Sequence, residues 1–148
     1  MVKEFDVIIV GCGPAGIAAA KTLLKNNVNF CMIDKAKFPR RKLCAGGLTY
    51  RSLKLLKELD LNIENIIKDR FNTLSVYYGN KKSNIKINKE IAMVDRTEFD
   101  NNNLQEIRKV CNNIFLSENI VNLDKYVLTT DKSTYKFKYI IFADGVNG

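Results

Sequence analysis

The run Val7–Ala20, VIIVGCGPAGIAAA, constrains the fold of this chain more than any other stretch. Its unbroken apolar start predicts a fully buried strand over residues 5–10. Pro14 suits the first turn of a helix, where its missing N–H costs nothing, and we expect that helix to continue to about Lys25. The sequence therefore predicts a buried strand that turns sharply into a helix.

Between that strand and helix, three glycines have the spacing GxGxxG. In a dinucleotide-binding fold Gly11 permits the tight turn, Gly13 lets the backbone approach a pyrophosphate, and Gly16 lets the helix pack close to the strand. A second buried strand is predicted over residues 29–33. It ends at Asp34, about 20 residues after Gly11, where a carboxylate can bind ribose hydroxyls.

The first helix should offer unpaired N–H groups and a partial positive charge to a phosphate. This fingerprint is shared by NAD and FAD domains, and a tight turn in an unrelated α/β protein is a further alternative. With an NAD cofactor, Asp34 would favour NAD over NADP because a carboxylate repels a 2′-phosphate.

The rest of the chain predicts an α/β fold with a central parallel sheet and an antiparallel β-meander insert, that is, a Rossmann-like FAD/NAD(P)-binding domain. Two further helices are expected, one over 48–59 with Leu48, Leu55, Leu56 and Leu59 on one side, and one after Asp95 with Phe99, Leu104, Ile107 and Cys111 on one face. The further strands are an antiparallel pair over 73–78 and 85–87, a short strand over 91–94, a meander over 121–138, and a buried strand over 139–143.

Composition limits the classes of function. With 148 residues, 46% of them hydrophobic, the chain can form one domain over residues 1–148. The net charge of +8 comes from scattered lysines and arginines, and we expect no nucleic-acid role. The chain has no histidine and its four cysteines form no CxxC pair, so we expect no metal site. Without a signal peptide or an apolar run of about 20 residues, we expect a cytoplasmic protein, with peripheral membrane contact as an option.

Three later segments, taken with the glycine run, resemble the FAD-binding half of the geranylgeranyl reductase family. They are PRRKLCAGGL, which holds the motif P-x-x-K-x-C-x-G over Pro39–Gly46, then VDRTEFDNNNL, and the terminal FADGVNG. The resemblance extends over nearly the whole chain, and the family belongs to the wider group of flavoprotein hydroxylase-like folds.

The resemblance implies a set of cofactor-binding residues. Ala15 should lie against the pyrophosphate, Arg96 near the phosphate and ribityl groups, and the backbone of Val121 near the adenine. The full implied set is Gly11, Gly13, Pro14, Ala15, Gly16, Asp34, Lys35, Cys44, Ala45, Gly47, Arg96, Val121, Asp144 and Gly145. Cys44 could equally be a small packing residue, Arg96 a surface residue, and Asp144 a helix cap.

The family resemblance implies FAD as cofactor, NAD(P)H as a candidate reductant, and an isoprenoid or other hydrophobic substrate whose C=C bonds are reduced. No residue of the chain stands out as a general acid. Family members are more than twice as long as this chain, and the segment after ADG departs from their usual small residue-Asn-Ser. We therefore expect an incomplete flavoprotein, active only with further chain, or a non-catalytic dinucleotide-binding module.

Overall fold

The computed structural model describes residues 2–146, so the last two residues of the FADGVNG segment, Asn147 and Gly148, lie outside it. The chain divides into two compact units, one formed by the residues up to Arg40 and from Asp100 onward, the other by Arg41–Phe99.

The secondary structure follows the predicted alternation of strands and helices. In chain order the elements are β1 (Val2–Glu4), β2 (Val7–Val10), α1 (Pro14–Lys25), β3 (Phe30–Asp34), β4 (Gly47–Leu48), α2 (Tyr50–Glu58), a 3-10 helix (Glu64–Ile66), β5 (Ile67–Tyr78), β6 (Lys81–Val94), α3 (Arg96–Arg108), β7 (Ile114–Leu116), β8 (Ile120–Asp124), β9 (Val127–Thr130), β10 (Thr134–Lys136) and β11 (Tyr139–Phe142).

A parallel sheet forms the centre of the first unit, which confirms the α/β Rossmann-like fold. Its strand order is β11-β2-β3-β7, and every neighbouring pair is parallel. All four residues of β2 are buried, as the unbroken apolar run predicts for a strand covered on both faces. Helix α1 connects β2 to β3, whereas β11 pairs with the opposite edge of β2. Strand β2 thus has a parallel neighbour on each side.

The meander forms a second sheet in the same unit. Strands β8, β9 and β10 are antiparallel, and β1 adds to β10 in parallel. A core cluster holds apolar residues from both sheets of this unit, with Ile8 and Ile33 from the parallel sheet and Leu128 and Tyr135 from the meander among its members. The predicted insert is confirmed.

The single strand expected over residues 5–10 is wrong in its first two residues. Phe5 donates its backbone N–H to Lys136 in the meander sheet, at 3.0 Å. Asp6 donates to Asn29 beside the parallel sheet, also at 3.0 Å. The chain therefore passes from one sheet to the other at Phe5–Asp6, a change that an apolar pattern alone does not reveal.

A long hairpin, β5 and β6, makes up most of the second unit. Gly79 and Asn80 join its strands, and β4 pairs with the far end of β6. The separate strand expected over 91–94 is wrong, because these residues form the end of β6, where Ile91 pairs with Phe71 and Val94 with Ile67. Lysines and asparagines interrupt the apolar pattern there, but a largely exposed strand continues through polar residues.

Helix α2 begins later than expected and has a different inner face. Thr49 caps it through its side-chain oxygen, and Leu48 belongs to β4. Leu53 and Leu56 pack on the small apolar cluster of this unit, whereas Leu55 is 50% exposed. Leu55, expected on the same side as Leu56, is therefore not part of the buried face of α2.

Helix α3 begins after Asp95, whose carboxylate accepts hydrogen bonds from the N–H groups of Thr97 and Glu98, at 2.7 and 3.1 Å. These bonds lower the pKa of Asp95, the bond from Glu98 most strongly. The expected apolar stripe is buried at Phe99, Leu104 and Ile107, while Cys111 lies beyond the helix end and is only half-buried.

Among residues 2–146, no helix has the length and apolar character needed to cross a membrane.

Candidate functional site

The carboxyl ends of three parallel strands meet around the glycine loop. Gly11 donates its N–H to the carbonyl of Ile33 at 2.7 Å, and Ala143 donates to Val10 at 2.7 Å. These bonds continue the sheet pairing one residue beyond β2 and β11. Strands β3 and β11 flank β2 on its two sides, and open α/β sheets bind ligands in the crevice outside the carboxyl ends of their strands.

Gly11 and Gly16 are required by the packing of the protein itself. Gly11 has φ +103, and a Cβ there would lie 2.5 Å from the Ala143 carbonyl oxygen. A Cβ on Gly16 would lie 1.9 Å from the carbonyl oxygen of Gly11. The strand, the loop and helix α1 approach so closely at these two positions that no side chain fits.

Gly13 differs from the other two glycines because the packing of the protein does not require a glycine at this position. Its backbone, at φ −77 and ψ −175, is open to any residue. A Cβ would come within 4 Å of one atom beyond its chain neighbours, the Arg40 Nη2 at 3.4 Å, which is an ordinary contact. The glycine at this position is therefore explained better by a ligand that approaches the backbone than by packing.

The first turn of α1 faces this position with its backbone donors. Gly13 is the N-cap and contributes no side chain, and Pro14 has no N–H. Ile17 donates to the Gly13 carbonyl at 2.9 Å, so the N–H groups of Ala15 and Gly16 precede the first bond within the helix. Pro14 and Ala15 are exposed, and the turn carries no acidic side chain. An anion there would be favoured by the helix dipole.

The Asp34 carboxylate is hydrogen-bonded to the glycine loop and can accept further hydrogen bonds from a ligand. Its Oδ2 accepts from the Cys12 backbone N–H at 2.7 Å, and its Oδ1 accepts from the Ala36 N–H at 2.8 Å. A carboxylate has about four lone-pair positions, so about two remain for further donors. The carboxylate is only partly buried.

Asp144 and Gly145 follow β11 at the same edge of the sheet. Both are exposed, and Gly145 has φ +81, a conformation that favours glycine. Lys35, directly after Asp34, is also exposed.

Val121 lies on β8, an edge strand of the meander sheet, and is 68% exposed. The register changes from Ile120 opposite Thr130 to Asn122 opposite Thr129, which leaves Val121 without a counterpart in β9. A residue bulged in this way has backbone groups outside the regular ladder. This geometry suits the contact with adenine that the resemblance implies.

Four of the expected site residues belong to the second unit. Cys44, Ala45 and Gly47 are exposed, and Arg96 begins α3. The Cys44 sulfur accepts a long bond, 3.5 Å, from the Gly46 N–H.

Between these residues, Gly46 has φ +79, and a Cβ on it would lie 1.9 Å from the Val94 carbonyl oxygen. The glycine of the motif P-x-x-K-x-C-x-G therefore has a packing reason of its own in this unit.

Arg40 is the main site residue that sequence reasoning missed. Its Nη1 pairs with the Asp100 carboxylate at 3.3 Å, and its guanidinium lies 4.9 Å from the Phe38 ring centre. The PRRK segment holds two adjacent arginines and does not indicate which one turns inward. An acid on the buried face of α3, next to Phe99, is the signal that could have indicated a buried ion pair.

The pKa of the Cys12 thiol depends on the charges near the loop. Burial and the Asp34 charge raise its pKa far above the usual range, while Arg108 and Arg40 act in the opposite direction. Both guanidinium groups therefore contribute positive potential at the loop.

A buried polar cluster supports the end of β3. Glu118 donates its backbone N–H to the Asp34 carbonyl at 3.2 Å. Its carboxylate accepts from the Tyr135 hydroxyl at 2.7 Å and the Thr130 hydroxyl at 2.8 Å. The meander is thus joined to the strand end that carries Asp34.

Comparison with known proteins identifies the family of the chain. The pyridine nucleotide-disulphide oxidoreductase family matches residues 5–148. The chain belongs to this family.

Individual relatives extend further than this chain does. An uncharacterized protein of Methanosarcina barkeri is 35% identical over 99% of the chain and 38% of its own length. A menaquinone reductase of Mycolicibacterium smegmatis is 43% identical over 38% of the chain and 14% of its length. The solved geranylgeranyl bacteriochlorophyll reductase-like protein of Thermoplasma acidophilum has a TM-score of 0.78 at 18% identity, covering 99% of the chain and 41% of that protein. The chain thus spans about two fifths of the length of the first and third.

The residues at the sheet edge fit a dinucleotide. Gly13 places no side chain at the N-terminus of α1, the Asp34 carboxylate has spare acceptor capacity, and Arg40 supplies a nearby positive charge. Family membership and the flavoprotein fold support FAD as the cofactor.

Proposed function

We propose that this chain is the FAD-binding part of a flavin-dependent reductase that saturates C=C bonds of an isoprenoid or similar hydrophobic substrate. One observation carries the cofactor half of the proposal. Gly13, a glycine that the packing of the fold does not need, is the buried N-cap of α1, beside the exposed Pro14 and Ala15, and Asp34 is hydrogen-bonded to the same loop. This combination suits a pyrophosphate and its adjoining ribose.

Each proposed binding residue has a defined task. The Ala15 and Gly16 N–H groups would bind the pyrophosphate, Asp34 the ribose hydroxyls, and the Val121 backbone the adenine. Asp144 and Gly145 would bind at the other side of β2. Lys35, Cys44, Ala45, Gly47 and Arg96 remain proposals from the family resemblance alone.

When bound and reduced, FAD supplies the hydride for a C=C bond, and a proton completes the saturated product. The residues described here bind and orient the cofactor. The substrate class is supported by the resemblance of three segments to geranylgeranyl reductases and by the likeness to a menaquinone reductase and a geranylgeranyl bacteriochlorophyll reductase-like protein. NAD(P)H as reductant, a cytoplasmic location and peripheral contact with a membrane belong to the same proposal.

A titration series tests the cofactor. We expect the purified chain to bind ADP and FAD, and the bound flavin to absorb near ~450 nm. The alternative is an NAD-binding domain of another class, which Asp34 also suits. Binding of NADH in clear preference to FAD would favour that alternative and refute the flavin proposal.

A second experiment tests the substrate class. The flavin-dependent reductase of which this chain is the proposed FAD-binding part is loaded with FAD, reduced without oxygen, and mixed with a geranylgeranyl compound or with its fully saturated analogue. We expect the absorbance of oxidised flavin to return with the unsaturated compound only. Equal behaviour of the two compounds would contradict an isoprenoid C=C reductase.

A further inference from the structure

Arg40 connects a buried carboxylate to the glycine loop. Its Nη1 lies 3.3 Å from Asp100 Oδ2, and its other terminal nitrogen, Nη2, lies 3.4 Å from the Cβ position of Gly13. The Asp100 side chain is 0% exposed and that of Arg40 18%. One guanidinium thus faces an acid with one nitrogen and the proposed phosphate position with the other.

We propose that Arg40 binds the diphosphate of the dinucleotide and that Asp100 is a positioning residue that holds the guanidinium over Gly13. This inference rests on the proposed function, since it assigns two residues to the dinucleotide site described above.

The geometry of the guanidinium permits both contacts at once. Arginine has five N–H donors in a fixed plane, so a bond from Nη1 to Asp100 leaves donors on Nη2. The Phe38 ring, 4.9 Å from the guanidinium carbon, lies along the same side chain and limits its tilt. A planar group held at two places presents the remaining donors in one direction.

The charge arrangement also indicates an anion. The N-terminus of a helix carries partial positive charge, so a guanidinium beside it is repelled unless negative charge lies near. Asp100 provides one such charge from the buried side. A diphosphate between the Ala15 and Gly16 N–H groups and the Arg40 Nη2 would provide the other, and charge-assisted bonds from arginine to phosphate are strong.

A buried ion pair that only stabilises the fold is the competing explanation. Buried pairs are expensive to break whether or not a ligand is involved. The two explanations differ in one measurable quantity, the affinity for ADP relative to adenosine. A structural pair would affect both ligands alike through the fold, whereas a positioned arginine would affect the phosphate-bearing ligand alone.

The experiment is calorimetry with adenosine and ADP on the wild-type chain, Arg40→Ala, Asp100→Asn and the double variant. We expect Arg40→Ala to weaken ADP binding about tenfold or more and Asp100→Asn about threefold to tenfold, with adenosine binding nearly unchanged. In the Arg40→Ala background, Asp100→Asn should have no further effect on ADP, because Asp100 acts through Arg40.

Matched controls use neighbouring charges outside the pair. Arg41→Ala removes the adjacent exposed arginine, and Glu106→Gln neutralises an acid of α3 that pairs with Lys109 nearer the surface. Both should leave the ratio of ADP to adenosine affinity unchanged. If Arg40→Ala or Asp100→Asn does not fold, Arg40→Lys serves instead. One lysine ammonium cannot reproduce the two-sided contact, so we expect the ratio to fall here too.

Equal losses for ADP and adenosine, or additive effects of the two substitutions, would overturn the inference while leaving the dinucleotide site intact. A wild-type chain that binds neither ligand would instead refute the proposed function, and this inference with it. The two failures are therefore distinguishable.

Discussion

Asp34 Oδ2 accepts the backbone N–H of Cys12 at 2.7 Å, so the acid at the end of β3 is bonded directly to the glycine loop at the end of β2. Asp34 thereby has two roles in the proposed site. It holds the loop in shape, and it presents its remaining lone pairs to a ribose.

Replacement of Asp34 should therefore affect both the fold and the ligand. We expect Asp34→Ala to weaken ADP or FAD binding by about 1–3 kcal/mol, because buried partners lose their acceptor. We also expect the free energy of unfolding to fall by about 1 kcal/mol. Calorimetry with ADP and urea unfolding measure the two effects. Equal ADP affinities in the two proteins would remove Asp34 from the site.

Substitutions at two glycines of the loop should distinguish a role in packing from a role in ligand binding. We expect Gly13→Val to fold and to lose dinucleotide binding, since its backbone conformation is ordinary and the side chain would occupy the phosphate position. Gly16→Ala should instead unfold or strongly destabilise the chain, because its Cβ would lie 1.9 Å from a carbonyl oxygen. Circular dichroism on heating and ADP titration distinguish these outcomes. A folded Gly13→Val variant with normal affinity would show that the loop is only a turn.

The ratio of FAD to ADP affinity tests which part of the cofactor the first unit holds. The residues gathered at the sheet edge are those proposed for the pyrophosphate and ribose of the ADP half. We therefore expect FAD and ADP to bind within about tenfold of one another, whereas burial of a flavin ring normally adds several kcal/mol. Calorimetry on Met1–Gly148 gives both constants. FAD binding far tighter than ADP would mean that this chain also encloses the flavin.

Alkaline pH should destabilise the protein. Burial raises the pKa values of the Cys12 and Cys31 thiols from an ordinary 9.0, and burial with the bond to Glu118 raises that of the Tyr135 phenol from 10.0. Above these ordinary values the unfolded chain releases protons that the folded chain retains. The contribution of these groups to the free energy of unfolding is therefore fully present below about pH 9 and is lost as the pH rises.

Urea unfolding at about pH 8 and pH 10 measures this loss of stability. Cys31→Ala should reduce the difference between the two pH values, since the buried thiol no longer contributes. Cys44→Ala, which removes an exposed thiol, is the matched control and should leave the difference unchanged. An unfolding free energy independent of pH over this interval would contradict the prediction.

Local signals determined the central part of the fold. An apolar run, a glycine with positive φ at Gly11, a proline in the first helical turn and an acid after the second strand each act within a few residues of the chain. Such signals specify backbone conformation directly, so β2, α1, β3 and the position of Asp34 could be predicted from the sequence. The cap at Asp95 and the buried face of α3 at Leu104 and Ile107 have the same local origin.

Only the tertiary structure decided which distant residues meet. Arg40 and Arg41 are equivalent in sequence, and the choice of Arg40 depends on Asp100, about 60 residues away, which helix α3 places on its buried face. Val121 has no counterpart in β9 because of the way β8 pairs with that strand. Strand β6 likewise continues through Ile91–Val94 because these residues pair with β4 and β5. The sequence by itself determined the local backbone and the acid at the end of β3. Long-range pairing of strands and charges decided the site around them, because its energy comes from contacts that no local pattern encodes.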